Sequence, residues 1–335
     1  MGQSKVKNIT KKQNSFITKD LLKLFGSLVL FILFLLPNYI WAGIQCLTQK
    51  PRDIRGKVVL ITGAAGGLGR QLALSFHRLG ARIVCVDVNG AGNDLTGEMI
   101  RAEGGTAVTY TVDITDRENV RQMHGVVKDA LGSVDVLINN AAVVLSNIYV
   151  NRESDDLVKD IVNVNLLAQF WMNKEILPSM LERNSGQIVA ISSVASLIGH
   201  HSLTAYSASK WGVTGMMEAL DQELKLLGSD IVVTTVCPYF FDSDVSKSVT
   251  KNSLSKLSLN ATCDSIVDGI LKNKKIFTVP SKMYLLVILF RILPSKSQYS
   301  IFKILGSSFR YKKSDYETLK KYQRKELVVT AVNDL

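Results

Sequence analysis

Tyr206 and Lys210 lie four residues apart in TAYSASKWGV, and Ser193 stands thirteen residues before the tyrosine in AISSVASLIG. Positions i and i+4 of a helix share a face, so this spacing sets a phenol beside an ammonium. A free phenol titrates near 10 and is a poor base at neutral pH. A neighbouring cation and an oxidised nicotinamide stabilise the phenolate, which then accepts an alcohol proton and returns it in the reverse direction. Ser193, closing the preceding strand, is placed to hydrogen-bond the same substrate oxygen. A Tyr-x-x-x-Lys pair alone more often marks a solvated helix face; what distinguishes this one is the company it keeps upstream.

That company is Thr62-Gly63-Ala64-Ala65-Gly66-Gly67-Leu68-Gly69, which follows the β-branched run KVVLIT and leads into a helical stretch. Glycines permit a tight turn and a close backbone approach to a pyrophosphate, whose charge then rests on the helix N-terminus. Asp87 closes the next apolar run, 18 residues after Gly69. A carboxylate there accepts from both ribose hydroxyls and repels a 2′-phosphate, so NAD is expected over NADP. Gly66 stands where a basic residue would otherwise meet such a phosphate.

The elements that must position these groups alternate along the chain. Strands are expected at 57–62, 81–87, 106–113, 134–140, 186–192 and 230–236, with a weaker one at 275–279. Helices are expected near 67–79, 90–103, 116–131, 154–182, 205–228 and 262–273. Alternating units with nearly continuous apolar strands predict an α/β fold, a Rossmann-type doubly wound parallel sheet covered on both faces. The segment MYLLVILFRILP after residue 280 is too short to span a bilayer. It reads equally well as a core helix or as a helix lying on a membrane at the mouth of the site.

The chain has 335 residues, 47% hydrophobic and 21% charged, which excludes a disulfide-stapled miniprotein, wholesale disorder and a polytopic transporter. The net charge of +11 is unevenly spread. Residues 1–57 hold ten Lys/Arg against two Asp, and 272–335 hold fourteen against four acids, leaving −7 for 58–271. An acidic body with basic ends argues against a nucleic-acid groove and for ends that meet an anionic membrane surface. Cys46, Cys85, Cys237 and Cys263 have neither metal-ligand spacing nor nearby histidines, so reduced thiols and no metal site are expected. Residues 24–49 carry no charged side chain and read as a membrane anchor, interrupted at Pro37 and Asn38. Basic residues on both flanks favour a hairpin insertion that leaves the main domain cytosolic; glycosylation of the Asn260-Ala261-Thr262 sequon in cells would overturn that topology. The expected organisation is a basic tail (1–23), the anchor (24–49), the nucleotide-fold domain (50–280) and an apolar then basic extension (281–335).

Taken together, these residues resemble the short-chain dehydrogenase/reductase family, classical type, over about 56–275. The family's cofactor turn matches Thr62, Gly63, Gly67, Leu68 and Gly69, its acidic ribose ligand Asp87, and its adenine-side pair Asp113 and Ile114. Its Asn-Asn-Ala-Gly element appears as Asn139-Asn140-Ala141-Ala142, with Asn140 and Ala141 backing the cofactor and alanine in place of the last glycine. The resemblance implies a catalytic tetrad of Asn165, Ser193, Tyr206 and Lys210, with Asn165 holding a relay water and Lys210 also holding the nicotinamide ribose. It further implies cofactor contacts from Pro238 and Ser243, although Tyr239 replaces the glycine that usually follows the proline.

The anchor, GLGR at 67–70, QFWMNKEILPSML at 169–181 and the late apolar segment look like the membrane-bound subgroup that contains epidermal retinol dehydrogenases and 17β-hydroxysteroid dehydrogenases. That likeness implies an NAD-dependent oxidoreductase of a lipophilic alcohol such as a retinol, a hydroxysteroid or a long-chain alcohol. It implies a homodimer and a location on endoplasmic reticulum or lipid droplets. Two alternatives stand beside it, an NADPH-dependent reductase of a lipid ketone and a non-catalytic membrane scaffold of the same fold.

Overall fold

A computed structural model of the chain describes residues 23–38, 40–41, 43–44, 48–144, 155–200, 203–242 and 256–306, the last five by backbone only. The chain divides at Pro51/Arg52 into two compact units. In the first, residues 23–38 are helical, and their apolar side chains, among them Phe25, Leu30, Phe31 and Phe34, are exposed. Among the described residues no helix is long and apolar enough to cross a membrane. The anchor expected over 24–49 includes Tyr39, Ala42 and 45–47, which lie outside the described residues, Cys46 among them.

The second unit is built on seven strands: β1 (Val58–Thr62), β2 (Arg82–Asp87), β3 (Ala107–Thr111), β4 (Val136–Asn139), β5 (Gln187–Ile191), β6 (Val232–Pro238) and β7 (Ile276–Val279). All pair in parallel, in the order β3-β2-β1-β4-β5-β6-β7. The helices are α1 (Gly67–Arg78), α2 (Gly90–Ala102), α3 (Arg117–Leu131), α4 (Asp155–Val162), α5 (Ala168–Glu182), α6 (Thr204–Leu226), α7 (Leu259–Leu271), α8 (Lys282–Arg291) and α9 (Ser295–Gly306).

The sheet is apolar on both faces because both are covered. Alternate strand residues divide between two cores. Val59, Ile61, Ile83 and Ile138 pack with Leu72 and Phe76 of α1 and Ile266 and Ile270 of α7. Leu60, Val84 and Leu137 pack with Val120 of α3, Met172 and Ile176 of α5, and Val213 and Met217 of α6. All seven expected strands and the doubly wound plan are thus present.

Two features differ from expectation. The stretch expected as one helix over 154–182 is broken by a π-helical turn at Asn163–Leu167 between α4 and α5. Such a turn inserts one extra residue into the ladder, and here it carries Asn165. The apolar segment after 280 is not a core helix: in α8 only Val287 is buried, whereas Leu285, Leu286, Ile288 and Leu289 are exposed. Its ties to the rest of this unit include Arg291, whose guanidinium lies 4.8 Å from the Trp211 ring centroid on α6.

Candidate active site

The strand order reverses between β1 and β4, whose carboxyl ends open the crevice where doubly wound sheets bind ligands. Thr62 and Asn140 stitch these two ends together. Thr62 Oγ1 accepts from the backbone N–H of Asn140 (3.0 Å) and of Ala141 (3.1 Å), while Asn140 Nδ2 donates to Thr62 O (2.9 Å). At two positions the turn between β1 and α1 leaves no room for a side chain. A Cβ at Gly63, whose φ is +71°, would stand 2.8 Å from Ala141 Cα, and one at Gly69 would overlap Gly63 O. Gly66 caps α1 without a side-chain hydrogen bond, so the first N–H groups of the helix are offered rather than spent on a cap. This donor set fits a pyrophosphate.

Asp87 ends β2. Its Oδ2 accepts from Ala65 N (2.9 Å) and its Oδ1 from Asn89 N (2.9 Å), which orients the carboxylate at the turn. The basic side chain of the turn, Arg70, is engaged elsewhere: Nε donates to Thr96 Oγ1 (2.9 Å) and Nη2 to Gly92 O (3.0 Å) and Ala65 O. Asp113 holds Thr115 through Oδ1 (2.9 Å from the backbone nitrogen), and Ile114 beside it is buried. Leu68 packs into the core beneath the turn, and buried Pro238 ends β6, paired with Val279. Ser243 lies outside the described residues, as does the segment 243–255.

The catalytic candidates converge at the ends of β4 and β5. Tyr206 enters α6 packed against buried Leu203, as are Val144 and Phe240, and its phenol feels the Ser193 hydroxyl. Lys210 is buried one turn on; its Nζ donates to Ile191 O (2.8 Å) and sits 5.7 Å from the Tyr206 ring centroid. Burial of the Tyr206 ring pushes the phenol up to about 12, against a lowering pull from the Ser193 hydroxyl. Burial pulls the Lys210 ammonium down to about 8. Desolvation is the largest cause of the rise and Lys210 is not among the causes, so the phenol is held protonated by its own burial. Use of Tyr206 as a base calls for a further positive charge beside it.

Asn165 is fully buried in the π turn. Its Oδ1 accepts from Val143 N (2.7 Å), and its Nδ2 donates to Val143 O (2.9 Å) and Ser209 Oγ (3.1 Å). Ser209 in turn donates to Tyr206 O (2.8 Å), so Asn165 braces the helix that bears the phenol. The Asn165 carbonyl accepts from Gln169 Nε2 (2.9 Å). Gln169 and Ser209 were not singled out from the sequence; their only signals are helical spacings of four from Asn165 and three from Tyr206. Among the described residues no cluster of His, Cys, Asp and Glu could hold a metal, and Cys85, Cys237 and Cys263 are free buried thiols.

The sequence profile described as short chain dehydrogenase matches residues 57–254. Epidermal retinol dehydrogenase 2 of Mus musculus is 37% identical over 300 residues, covering 88% of this chain and 94% of the relative. Human 17-beta-hydroxysteroid dehydrogenase 13 is 33% identical, covering 81% and 92%. Short-chain dehydrogenase/reductase family 16C member 6 of Bos taurus is 36% identical, covering 78% and 84%. Among solved structures, a short chain dehydrogenase/reductase from Burkholderia phymatum in complex with NAD superposes with a TM-score of 0.65 at 23% identity, covering 72% of this chain and 94% of that one.

Proposed function

The chain belongs to the short-chain dehydrogenase/reductase family of NAD(P)-dependent oxidoreductases, and from that premise we propose that it interconverts a lipophilic alcohol and its carbonyl with NAD at a membrane surface. The observation that carries this reading is Tyr206, whose ring lies 5.7 Å from the ammonium of buried Lys210 one helical turn on, at the carboxyl edge of the same sheet that bears the uncapped glycine turn. When bound, the nicotinamide supplies the hydride acceptor and, oxidised, the positive charge that the phenolate lacks in this pocket.

The residues divide the work. Ser193 donates to the substrate oxygen and fixes it beside Tyr206. Tyr206 takes the hydroxyl proton as the C–O bond becomes a carbonyl, and gives it back in reduction. Lys210 holds the nicotinamide ribose and passes the proton onward, and Asn165 braces the helix on which both stand. Asp87, with the turn's one arginine engaged elsewhere, supports NAD over NADP; faster initial rates with the phosphorylated cofactor would overturn that preference.

The substrate class draws support from the retinol and 17β-hydroxysteroid dehydrogenases this chain is similar to. Membrane action is supported by the exposed apolar face of α8, the exposed apolar residues of 24–36 and the basic ends of the chain. A location on endoplasmic reticulum or lipid droplets, with the domain in the cytosol, accords with these features. A homodimer through α5 and α6 accords with partly open Phe170 and Trp211, and light scattering in detergent that gave a monomer would refute it.

The deciding experiment is Tyr206→Phe. It should lower turnover of all-trans-retinol, estradiol or hexadecanol by about 10²–10⁴-fold while NADH still binds. Unchanged turnover would refute the reading.

A further inference from the structure

Ser193 stands at the head of a single 3-10 turn, Val194–Ser196. One such turn is a weak support for a group that must hold a substrate oxygen. Its own hydroxyl accepts from Ala195 N (3.1 Å), which orients the side chain but does not tie the turn to the helix carrying Tyr206 and Lys210.

That tie is made by three other hydroxyls. Ser196 Oγ donates to Ser193 O (2.7 Å) and accepts from Thr214 Oγ1 (2.9 Å), on α6 four residues beyond Lys210. Ser192 Oγ lies 3.1 Å from Thr214 Oγ1 and 3.2 Å from Lys210 O. Each hydroxyl carries one proton, and that sets the direction of the chain. The Ser196 proton goes to the Ser193 carbonyl, so the Thr214 proton goes to Ser196, and the one Ser192 proton is shared between Thr214 Oγ1 and Lys210 O. Ser192 and Ser196 are 3% and 1% exposed, so a hydroxyl deprived of its partner there finds no water in exchange. On the other side, Ser196 rests 3.7 Å from the thiol of Cys237 in β6.

We propose that Thr214 and Ser196 are positioning residues that hold the Ser193 hydroxyl at its working distance from Tyr206, by a directed hydroxyl chain from α6 to the Ser193 carbonyl. The inference rests on the catalytic reading above and adds to it two residues that touch neither substrate nor cofactor. Reacting groups displaced by about 1 Å lose up to about 10²-fold in rate, and that sets the scale of the effect.

The test compares Thr214→Val, which keeps the shape and removes the hydroxyl, with Thr214→Ser, which keeps the hydroxyl, and with Ser196→Ala. The probes are all-trans-retinol, estradiol and hexadecanol with NAD, using full-length protein in detergent. Thr214→Val and Ser196→Ala should lower kcat about 10- to 100-fold, with KM for the alcohol within about threefold and NADH affinity unchanged; Thr214→Ser should recover kcat to within about threefold of the parent. Amide exchange at 194–197 should quicken in Thr214→Val while the β4 and β5 amides keep their protection.

An unchanged kcat in Thr214→Val would overturn the inference. Equal losses in the Val and Ser variants would also overturn it, because shape rather than the hydroxyl would then be at stake. So would a loss of NADH binding alongside a fall in Tm, which marks a general folding role. Tyr206→Phe is run in parallel. If it keeps full turnover, or if the parent turns over none of the three alcohols, the catalytic reading fails and takes the inference with it. If Tyr206→Phe is inactive while Thr214→Val is normal, only the inference fails.

Discussion

The two halves of the sheet handle polar groups in opposite ways. On the β1–β2 side, function is carried by backbone: an uncapped helix N-terminus, a turn too tight for a Cβ at Gly63 and Gly69, and one carboxylate, Asp87, oriented by two N–H groups. On the β4–β6 side, the candidate site is built of side chains, a fully buried lysine pulled to about 8 and a half-buried phenol pushed up to about 12. The first arrangement costs little, because its backbone donors remain available to a ligand. The second stores unfavourable burial at the reaction centre, where stability is given up for chemistry.

Lys210→Met should break this contrast most sharply. Turnover of the alcohol probes should fall by about 10²–10⁴-fold, while the folded protein becomes more stable because a buried charge is gone. The sign follows from linkage. The folded-state pKa lies below the ordinary lysine value, so between pH 8 and about 10.5 the unfolded chain holds a proton that the folded chain has shed. Stability of the parent therefore rises with pH across that window, and the penalty is complete below pH 8. The Tm advantage of Lys210→Met should be largest below pH 8 and shrink toward pH 10.5; a constant or reversed difference would count against a buried ammonium.

Gly69→Ala probes the other half. With Gly63 O in the way of its methyl group, the turn must open, and NADH affinity should drop by about 10²-fold in a fluorescence titration. The phenol of Tyr206 should titrate as before, because nothing in its surroundings has moved. Binding within twofold of the parent would show that the turn is looser than this geometry.

The smallest effect on the fold should come from α8. The pair Leu285→Glu and Leu286→Glu alters only exposed positions, so stability should stay within about 0.5 kcal/mol. Co-flotation with phosphatidylserine-containing vesicles should weaken about tenfold or more, given the apolar area and the cost of bringing acids to an anionic surface. Full retention on vesicles would remove α8 from the membrane contact.

Much of this site was legible in the sequence wherever the signal is local. The seven strands announced themselves by β-branched runs, and the glycine turn by its place between a strand and a helix. Tyr206 and Lys210 were readable because an i, i+4 spacing needs only a helix to become a contact. What escaped reading depended on pairs that no local pattern marks. Thr214 and Ser196 are ordinary hydroxyls 18 positions apart, and nothing in either segment marks them as partners. Gln169 reaches the Asn165 carbonyl across a π turn that no periodicity announced.

The post-280 segment had an apolar composition compatible with two environments. Only the placement of α8, with Val287 inward and its neighbours outward, excluded the core.

By itself, then, the amino-acid order determined the fold and which side chains meet in the candidate site, because both follow from repeating patterns within a few turns of chain. The tertiary structure alone decided their electrostatics. Whether a phenol beside a lysine is lowered or raised depends on how much water the surrounding elements exclude, a property of packing that no short stretch of sequence carries.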